Sequence, residues 1–451
     1  MKALGSSVVL MSATLTRSQR APLAKAWGAD LPEAKAPYPR LTLVSGKSVE
    51  STPIPWEREK TYRVAQAPRP ATELADFALE KLGKEGAAAL IVNTVDRAQA
   101  LYREIKARLG SGEAILEGDH PIGWRANDTE LYLLHARLPS AERQVREHAL
   151  LARFGKDGKR PKRALVVATQ VIEQSLDLDF DLLFTDLAPL DLVLQRAGRT
   201  HRHRRTPPPA HAEPRIFVAG LAEEPPDIKS EFWDRVYDPY PLYTSWHLLR
   251  DQSVIRLPAE MEDLIEAAYA EETASKLPGS VRPLAKEALG ALKTQVQDTE
   301  LEAANVVVDP LARLLETLGA DQLPAELGLE DDEESPYTQR PLTRLGEPSV
   351  NVVPLYQLDD GLFLDPKGKH PARVRGSFTP DEAAAHYAAS LRVGRKGVVY
   401  ALKKQDIPPA WQKSGLLRNL KPLYLNAQGY AQVGGSGLLM DPELGLVYIR
   451  R

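Results

Sequence analysis

The sequence predicts an α/β protein: a parallel, right-handed sheet, then a largely helical stretch and a small α+β terminal domain. Three observations carry this. Short apolar runs alternate with amphipathic segments between residues 71 and 218. The runs are apolar throughout, as strands buried on both faces must be. Beyond residue 220 the alternation stops, and prolines, aromatics and longer helical periodicity take over.

The elements follow in order. Residues 8–11 read as a buried strand and 16–27 as a helix opened by Thr14 or Thr16 as its cap. Residues 28–60 are rich in proline and read as a connector, with a short strand at 41–44. Helix 71–83, strand 88–93, helix 96–109, strand 131–135 and helix 139–153 come next. Strands 164–168 and 182–185, helix 189–198 and strand 216–218 complete the sheet. Helices are expected over 259–276, 281–304 and 310–318. Past the acidic tract at 330–334, strands at 350–355, 398–402 and 445–448 mix with a helix at 380–391.

A length of 451 residues suggests two or three domains, and 43% hydrophobic with 26% charged residues is ordinary for a soluble globular chain. The absence of cysteine excludes disulfides, thiol catalysis and cysteine-ligated metal centres. No apolar run approaches the ~20 residues that span a bilayer, and the N-terminus lacks a signal-peptide pattern, so a cytoplasmic location is expected. The net charge of -3 hides a basic stretch, Gln195 to Arg205 (QRAGRTHRHRR), with five arginines. Such a cluster could grip nucleic acid, clamp a nucleotide phosphate or coat a surface.

Four signatures run in one order: Ser12-Ala13-Thr14 (SAT), His135 to Arg143 (HARLPSAER), Ala168 to Asp181 (ATQVIEQSLDLDFD) and Gln195 to Arg202 (QRAGRTHR). Order and spacing resemble motifs III, IV, V and VI of superfamily 2 helicases. The fuller wording VVATQVIEQSLDLDFDLLFTDLAPLDLVLQRAGRTHRH is similar to the signature helicase–nuclease of type I CRISPR systems, subtype E in particular. Further matches are LYTSWHLLR (242–250) and TRLGEPSV (343–350).

The resemblance implies two RecA-like lobes with ATP between them, and residues 1–45 as the end of the first. Residues 46–60 would be a linker, 61–220 the second lobe, 221–330 a helical linker and 331–451 an accessory domain. Phosphoryl transfer needs positive charge on the departing phosphate, and arginine's planar, permanently charged fork suits it. By the family pattern Arg199 and Arg202 are the arginine fingers, and Gln195 lies at the lobe interface. Ser12, Thr14, Gln174 and Asp177 would couple ATP to the strand grip, with Asp177 orienting an arginine or the ribose. His135, Arg137, Arg143, Thr169 and Gln170 would touch single-stranded DNA. Arg196 would pair with an acid such as Asp191. Arg204 and Arg205 lie outside the motif and read as surface or weak DNA contacts.

Two alternative readings stay bland. Asp177, Asp179 and Asp181 alternate like one strand face that could hold a metal, but motif V accounts for an aspartate there. His201, His203 and His211 imitate zinc ligands, yet a flexible basic loop before the prolines at 207–209 explains them. No metal is expected on this chain.

A motor also needs a P-loop, a metal-binding acid and, in this family, a histidine–aspartate nuclease dyad. Gly46-Lys47-Ser48 resembles a P-loop end but lacks the earlier glycine. Asp381-Glu382 sits behind Thr379-Pro380 and reads as helix cap chemistry. None of the nine histidines is followed by aspartate. The expectation is therefore the C-terminal part of an ATP-dependent helicase, inactive alone. ATP and Mg2+ would be shared with a missing first lobe. The expected partners are single-stranded DNA, a CRISPR surveillance complex and a separate chain bearing that lobe and the nuclease. A truncated remnant that only binds nucleic acid, or another superfamily 2 helicase, is the alternative.

Overall fold

The computed structural model describes residues 5–12, 14–32, 36–56, 59–173, 176–305 and 349–449. The chain divides into two compact units, one of residues 1–59 with 258–346 and one of 60–257 with 347–451. In the first unit α1 (Arg17–Trp27) starts at a capping box: Thr16 accepts from the Gln19 amide and the Gln19 side chain returns to Thr16. It ends at Gly28, whose φ of 97° suits glycine. The strand expected at 8–11 is not formed. Val9 and Met11 are 81% and 91% exposed, and among the described residues no strand runs beside them. An apolar run becomes a strand only where a neighbour can take its backbone hydrogen bonds.

β1 (Arg40–Ser45) and β2 (Ser48–Pro53) form a hairpin whose turn is Gly46-Lys47, with Gly46 at φ 61°. Gly46-Lys47-Ser48 is thus a hairpin turn, whereas a P-loop opens a helix.

The second unit holds β3 (Lys60–Ala67), α2 (Ala71–Leu82), β4 (Gly86–Ile91), α3 (Val95–Leu109), β5 (Glu113–Glu117) and β6 (His120–Ala126). β7 (Thr129–Leu134), α4 (Ser140–Phe154), β8 (Arg163–Ala168), β9 (Leu182–Asp186), α5 (Leu190–Ala197), β10 (Arg215–Ala219), α6 (Pro239–Leu249) and β11 (Val254–Leu257) follow. They make one nine-stranded sheet in the order β11-β3-β10-β9-β4-β8-β7-β6-β5. The pairs from β3 to β7 are parallel; β11, β6 and β5 join antiparallel at the edges. The α/β class and its parallel core are as the sequence predicts. Leu90, Leu101, Ile105, Leu133, Val167 and Phe184 fill that core, and Phe184 stacks on Phe217 with ring centroids 4.8 Å apart.

Gly86 illustrates how tightly β4 starts. It sits at φ +112°, and a Cβ there would lie 2.6 Å from His211 Cδ2 and 3.3 Å from Asp181 Oδ2. Gly86→Ala is expected to cost about 1–3 kcal/mol through strain and crowding, read as a lower urea midpoint with unchanged slope.

The chain then forms α7 (Met261–Tyr269), α8 (Thr273–Lys276) and α9 (Arg282–Asn305) in the first unit. The single helix expected over 259–276 breaks at Ala270, where the backbone turns extended. Arg20 and Arg40 share Glu262 at 2.9 and 2.5 Å, tying α1 and β1 to α7. The helix expected at 310–318 and the acidic tract lie outside the described residues.

The terminal segment comprises β12 (Val350–Leu358), β13 (Gly361–Phe363), α10 (Pro380–Ala388), β14 (Leu391–Val393), α11 (Lys396–Lys403) and α12 (Pro409–Gln412). β15 (Lys421–Leu425), β16 (Tyr430–Val433), β17 (Ser436–Asp441) and β18 (Gly445–Ile449) complete it. β12 pairs with β13, β14 and β15, and β16 to β18 form a meander. The strand expected at 398–402 is helix α11. Val398, Val399 and Leu402 are buried while Tyr400 is 65% exposed, a helical period hidden in a run too short to distinguish. This segment is bolted to the lobe. Gln99 Nε2 donates to Leu444 O and Leu446 O at 2.8 and 3.0 Å, and Glu443 takes the Lys106 ammonium at 2.5 Å.

Candidate functional site

Open parallel sheets place ligands at the carboxyl ends of their strands; Thr169 and Gln170 stand at the end of β8, while the arginine segment packs on the residues that lead into β9. β8 ends at Ala168; Thr169 donates its N–H to Leu134 O at 3.2 Å, and a single 3-10 turn, Gln170–Glu173, follows. The chain returns through residues 176–181 into β9, and α5 ends in the arginine segment. The two loops interlock. Phe180 N donates to Arg199 O and His201 N to Phe180 O, each at 2.9 Å, a short parallel bridge of Phe180 with Thr200. Arg202 N adds a bond to Asp179 Oδ1 at 2.8 Å.

Arg199 is 8% exposed, and its Nη2 donates to Glu173 O at 2.5 Å. Burial, with Arg202 alongside, pushes its pKa down. Arg202 is half-exposed, its Nε 2.5 Å from Asp177 Oδ1; the other Asp177 oxygen lies 3.1 Å from His203 Nε2. The hydrogen bond from Arg202 holds the Asp177 carboxyl below the usual carboxylate range.

The other two aspartates hold arginines rather than a metal. Asp179 Oδ2 lies 2.5 Å from Arg205 Nε and 3.0 Å from Arg160 Nη2. Asp181 Oδ1 lies 2.6 Å from Arg205 Nη1, and its Oδ2 accepts the Ala87 N–H at 2.7 Å. Arg205, read from the sequence as a surface or DNA residue, is therefore an internal strut. Among the described residues no three His, Asp or Glu side chains are grouped to hold a metal ion. The loop expected to be flexible is packed: His211 is buried with Nε2 at 2.9 and 3.1 Å from Glu85 O and Leu82 O.

Arg196 is fully buried. Its Nε meets Glu173 Oε1 at 2.7 Å, Nη1 meets Thr185 Oγ1 at 2.7 Å and Asn93 Oδ1 at 3.2 Å, and Nη2 meets Tyr237 Oη at 2.9 Å. Its acid is Glu173, on the neighbouring loop. Gln195 on the same helix is half-buried.

The residues expected on a DNA strand divide. Gln170 is partly exposed, with Nε2 bonded to Asn93 O and Tyr237 Oη at 2.9 Å each. Arg143 keeps a third of its side chain in solvent, 3.5 Å from Glu147. Thr169 is buried. Arg137 pairs with Asp96 and stacks over Tyr448 at 4.7 Å, so it pins the terminal segment instead. His135 is 0% exposed, and its Nδ1 accepts the Arg137 N–H at 3.2 Å, out of reach of any strand. Ser12 and Thr14 belong to the first unit, where Thr14 N donates to Ser12 Oγ at 3.2 Å. They line a cavity of about 290 Å³ with Arg20, Trp27 and Tyr38. Gln174 lies outside the described residues. Asp381-Glu382 belongs to a capping box in which Thr379 and Glu382 exchange bonds.

His135 carries a pH prediction. Burial, with Arg137 and Arg146 nearby, holds its pKa well below 6.5. The unfolded chain thus binds a proton there first, and stability falls as pH drops below about 6.5, by up to ~1.4 kcal/mol per unit. His201 and His386 are shifted the same way. His135→Asn is expected to flatten the fall in thermal midpoint between pH 7 and 5; an unchanged slope assigns it to the other two.

Sequence reading missed Tyr237, Asn93 and the Arg97–Asp186 pair, whose Nε–Oδ1 distance is 2.8 Å. Asn93 and Asp186 stand at the ends of adjacent parallel strands, which was the available signal; Tyr237 had none.

Comparison with known proteins places the chain among relatives. A family model for the C-terminal region of the CRISPR-associated nuclease/helicase Cas3 matches residues 84–205, and one for the Cas3 C-terminal domain matches 344–446. The chain is 42% identical over 475 residues to the CRISPR-associated endonuclease/helicase Cas3 of Thermus thermophilus, covering 100% of this chain and 51% of that protein. It thus spans about half that relative's length. It resembles the crystal structure of T. fusca Cas3 with AMPPNP at TM-score 0.74 and 26% identity, over 98% of this chain and 50% of the other. It also resembles a chain of a CRISPR RNA-guided surveillance complex in a pre-nicking state, at TM-score 0.71 and 26% identity, over 98% and 53%.

Proposed function

We infer the function from one premise: the chain belongs to the Cas3 family of CRISPR-associated helicase–nucleases and corresponds to its C-terminal half. On this reading it supplies the second lobe of an ATP-driven translocase on single-stranded DNA in type I CRISPR interference. The observation that carries it is the interlock of Arg199 and Arg202 with the connection that runs from the carboxyl end of β8, at Glu173, to the start of β9, at Asp177 and Asp179. A change at the phosphate end of one loop is felt at once by the other.

Arg199 and Arg202 would direct guanidinium charge onto the γ-phosphate of a nucleotide held by a first lobe. The AMPPNP-bound relative supports a nucleotide as ligand. Arg202 faces Asp177 here, so meeting a phosphate exchanges one anion for another rather than exposing a bare cation. Gln195 would face the nucleotide from the lobe interface, with Ser12 and Thr14 relaying its state. The metal that accompanies ATP would be held by the acid of the first lobe. On the strand side Gln170 and Arg143 remain the contacts; the buried Thr169, His135 and Arg137 are withdrawn to structural roles. The relative inside a surveillance complex supports recruitment by such a complex.

Mixing this chain with a separately made first lobe, ATP, Mg2+ and single-stranded DNA tests the reading. Turnover is expected only when both polypeptides and the strand are present. No turnover at any ratio contradicts it.

A further inference from the structure

Tyr237 belongs to none of the four signatures and comes from the segment between β10 and α6, after the arginine motif. Its hydroxyl nevertheless lies where the two functional loops meet. Tyr237 Oη accepts from Gln170 Nε2 and from Arg196 Nη2, both at 2.9 Å. Gln170 stands on the loop after β8. Arg196 stands on α5, three residues before Arg199.

Three features make this junction more than packing. Both donors are also held at strand ends: Gln170 Nε2 by Asn93 O, and Arg196 Nη1 by Asn93 Oδ1 and Thr185 Oγ1. The frame against which the loops could move is therefore rigid. Arg196 also holds Glu173 at the far end of the Gln170 loop, and Arg199 donates to the backbone of the same Glu173. A shift of Arg199 toward a phosphate thus pulls on a loop whose other end Tyr237 clamps. Finally, the phenol is desolvated, and burial pushes its pKa up, so it stays a neutral acceptor at physiological pH.

We propose that Tyr237 is a positioning residue that couples the arginine segment to the strand-contacting loop, so that nucleotide state and strand grip change together. This rests on the motor reading above and names the device within it. Phenylalanine at 237 would keep the ring and remove the shared acceptor, leaving Gln170 Nε2 and Arg196 Nη2 each short of one bond. Thr185→Val is the control. It removes another Arg196 bond of similar length but touches nothing on the Gln170 loop.

The test has two readouts on the full chain. Amide hydrogen exchange is followed by mass spectrometry on the unmixed protein. In Tyr237→Phe, protection is expected to fall about tenfold in both 169–173 and 196–202. In Thr185→Val it should fall in 196–202 alone. Loosening of only one segment in Tyr237→Phe, or the same pattern in both variants, overturns the proposal. In the mixture with a first lobe, the factor by which single-stranded DNA stimulates ATP turnover is expected to drop about tenfold in Tyr237→Phe, out of proportion to any loss of thermal midpoint. Stimulation equal to wild type also overturns it. Wild-type protein without strand-stimulated turnover would instead sink the motor reading, while the exchange pattern still decides whether Tyr237 joins the loops.

Discussion

Arg199→Ala is expected to lower ATP turnover of the assembled lobes by about 10³-fold or more, the range in which arginine fingers act. The loss should fall on kcat more than on KM, because charge on the departing phosphate grows only in the transition state. The fold should survive. Arg199 makes one side-chain bond, to Glu173 O, and losing it costs about 1 kcal/mol. A lysine there should rescue little, since its point charge cannot reproduce the fork. Steady-state turnover against ATP concentration, with circular dichroism as the check on folding, decides it.

The second large effect is structural. Arg196→Met should destabilise the second unit by about 3–5 kcal/mol, because it strands the buried Glu173 carboxylate without its partner. Methionine fills most of the volume, so the loss reports charge and hydrogen bonds rather than a void. Adding Glu173→Gln is expected to recover a good part, since no buried charge then remains unpaired. Urea unfolding of the single and double variants reads this. A single-variant loss below 1 kcal/mol would mean that water or a rearranged Asn93 replaces the guanidinium.

The two effects separate because neighbouring arginines do different work. Arg199 and Arg196 differ by three residues, yet one has a single partner and the other four side-chain partners from four strands or loops. Spacing singled out the arginine segment as a candidate site. It could not show which one is a strut.

That limit is general here. β4, β7, β8 and β9 were legible because both faces are buried and each carries an unbroken apolar run. β3 and the β5–β6 pair were not: β3 and β5 are largely exposed and carry charges, and β6 is broken by proline, glycine and arginine. α11 was read as a strand because the five residues 398–402 are apolar throughout, and so short a run fits both periods. At the site, the order of signatures revealed the arginine segment and its two loops. The contacts that lock them span 23 residues from Glu173 to Arg196 and 41 from Arg196 to Tyr237, distances that no local pattern encodes. His135 could have been read better: apolar Leu134 and Leu138 on either side are the mark of a core position, and all three are fully buried. Motif position outweighed that pattern and misled.

Trapping of a transition-state analogue tests the central claim most directly. ADP with aluminium fluoride mimics the phosphoryl group in flight, and only a pair of lobes with a correctly placed guanidinium should hold it. Wild-type chain mixed with a first lobe is expected to trap about one ADP per pair. Arg199→Ala should still bind ADP but release the complex about 10³-fold faster. Trapping by the alanine variant as stable as that of wild type would contradict the account.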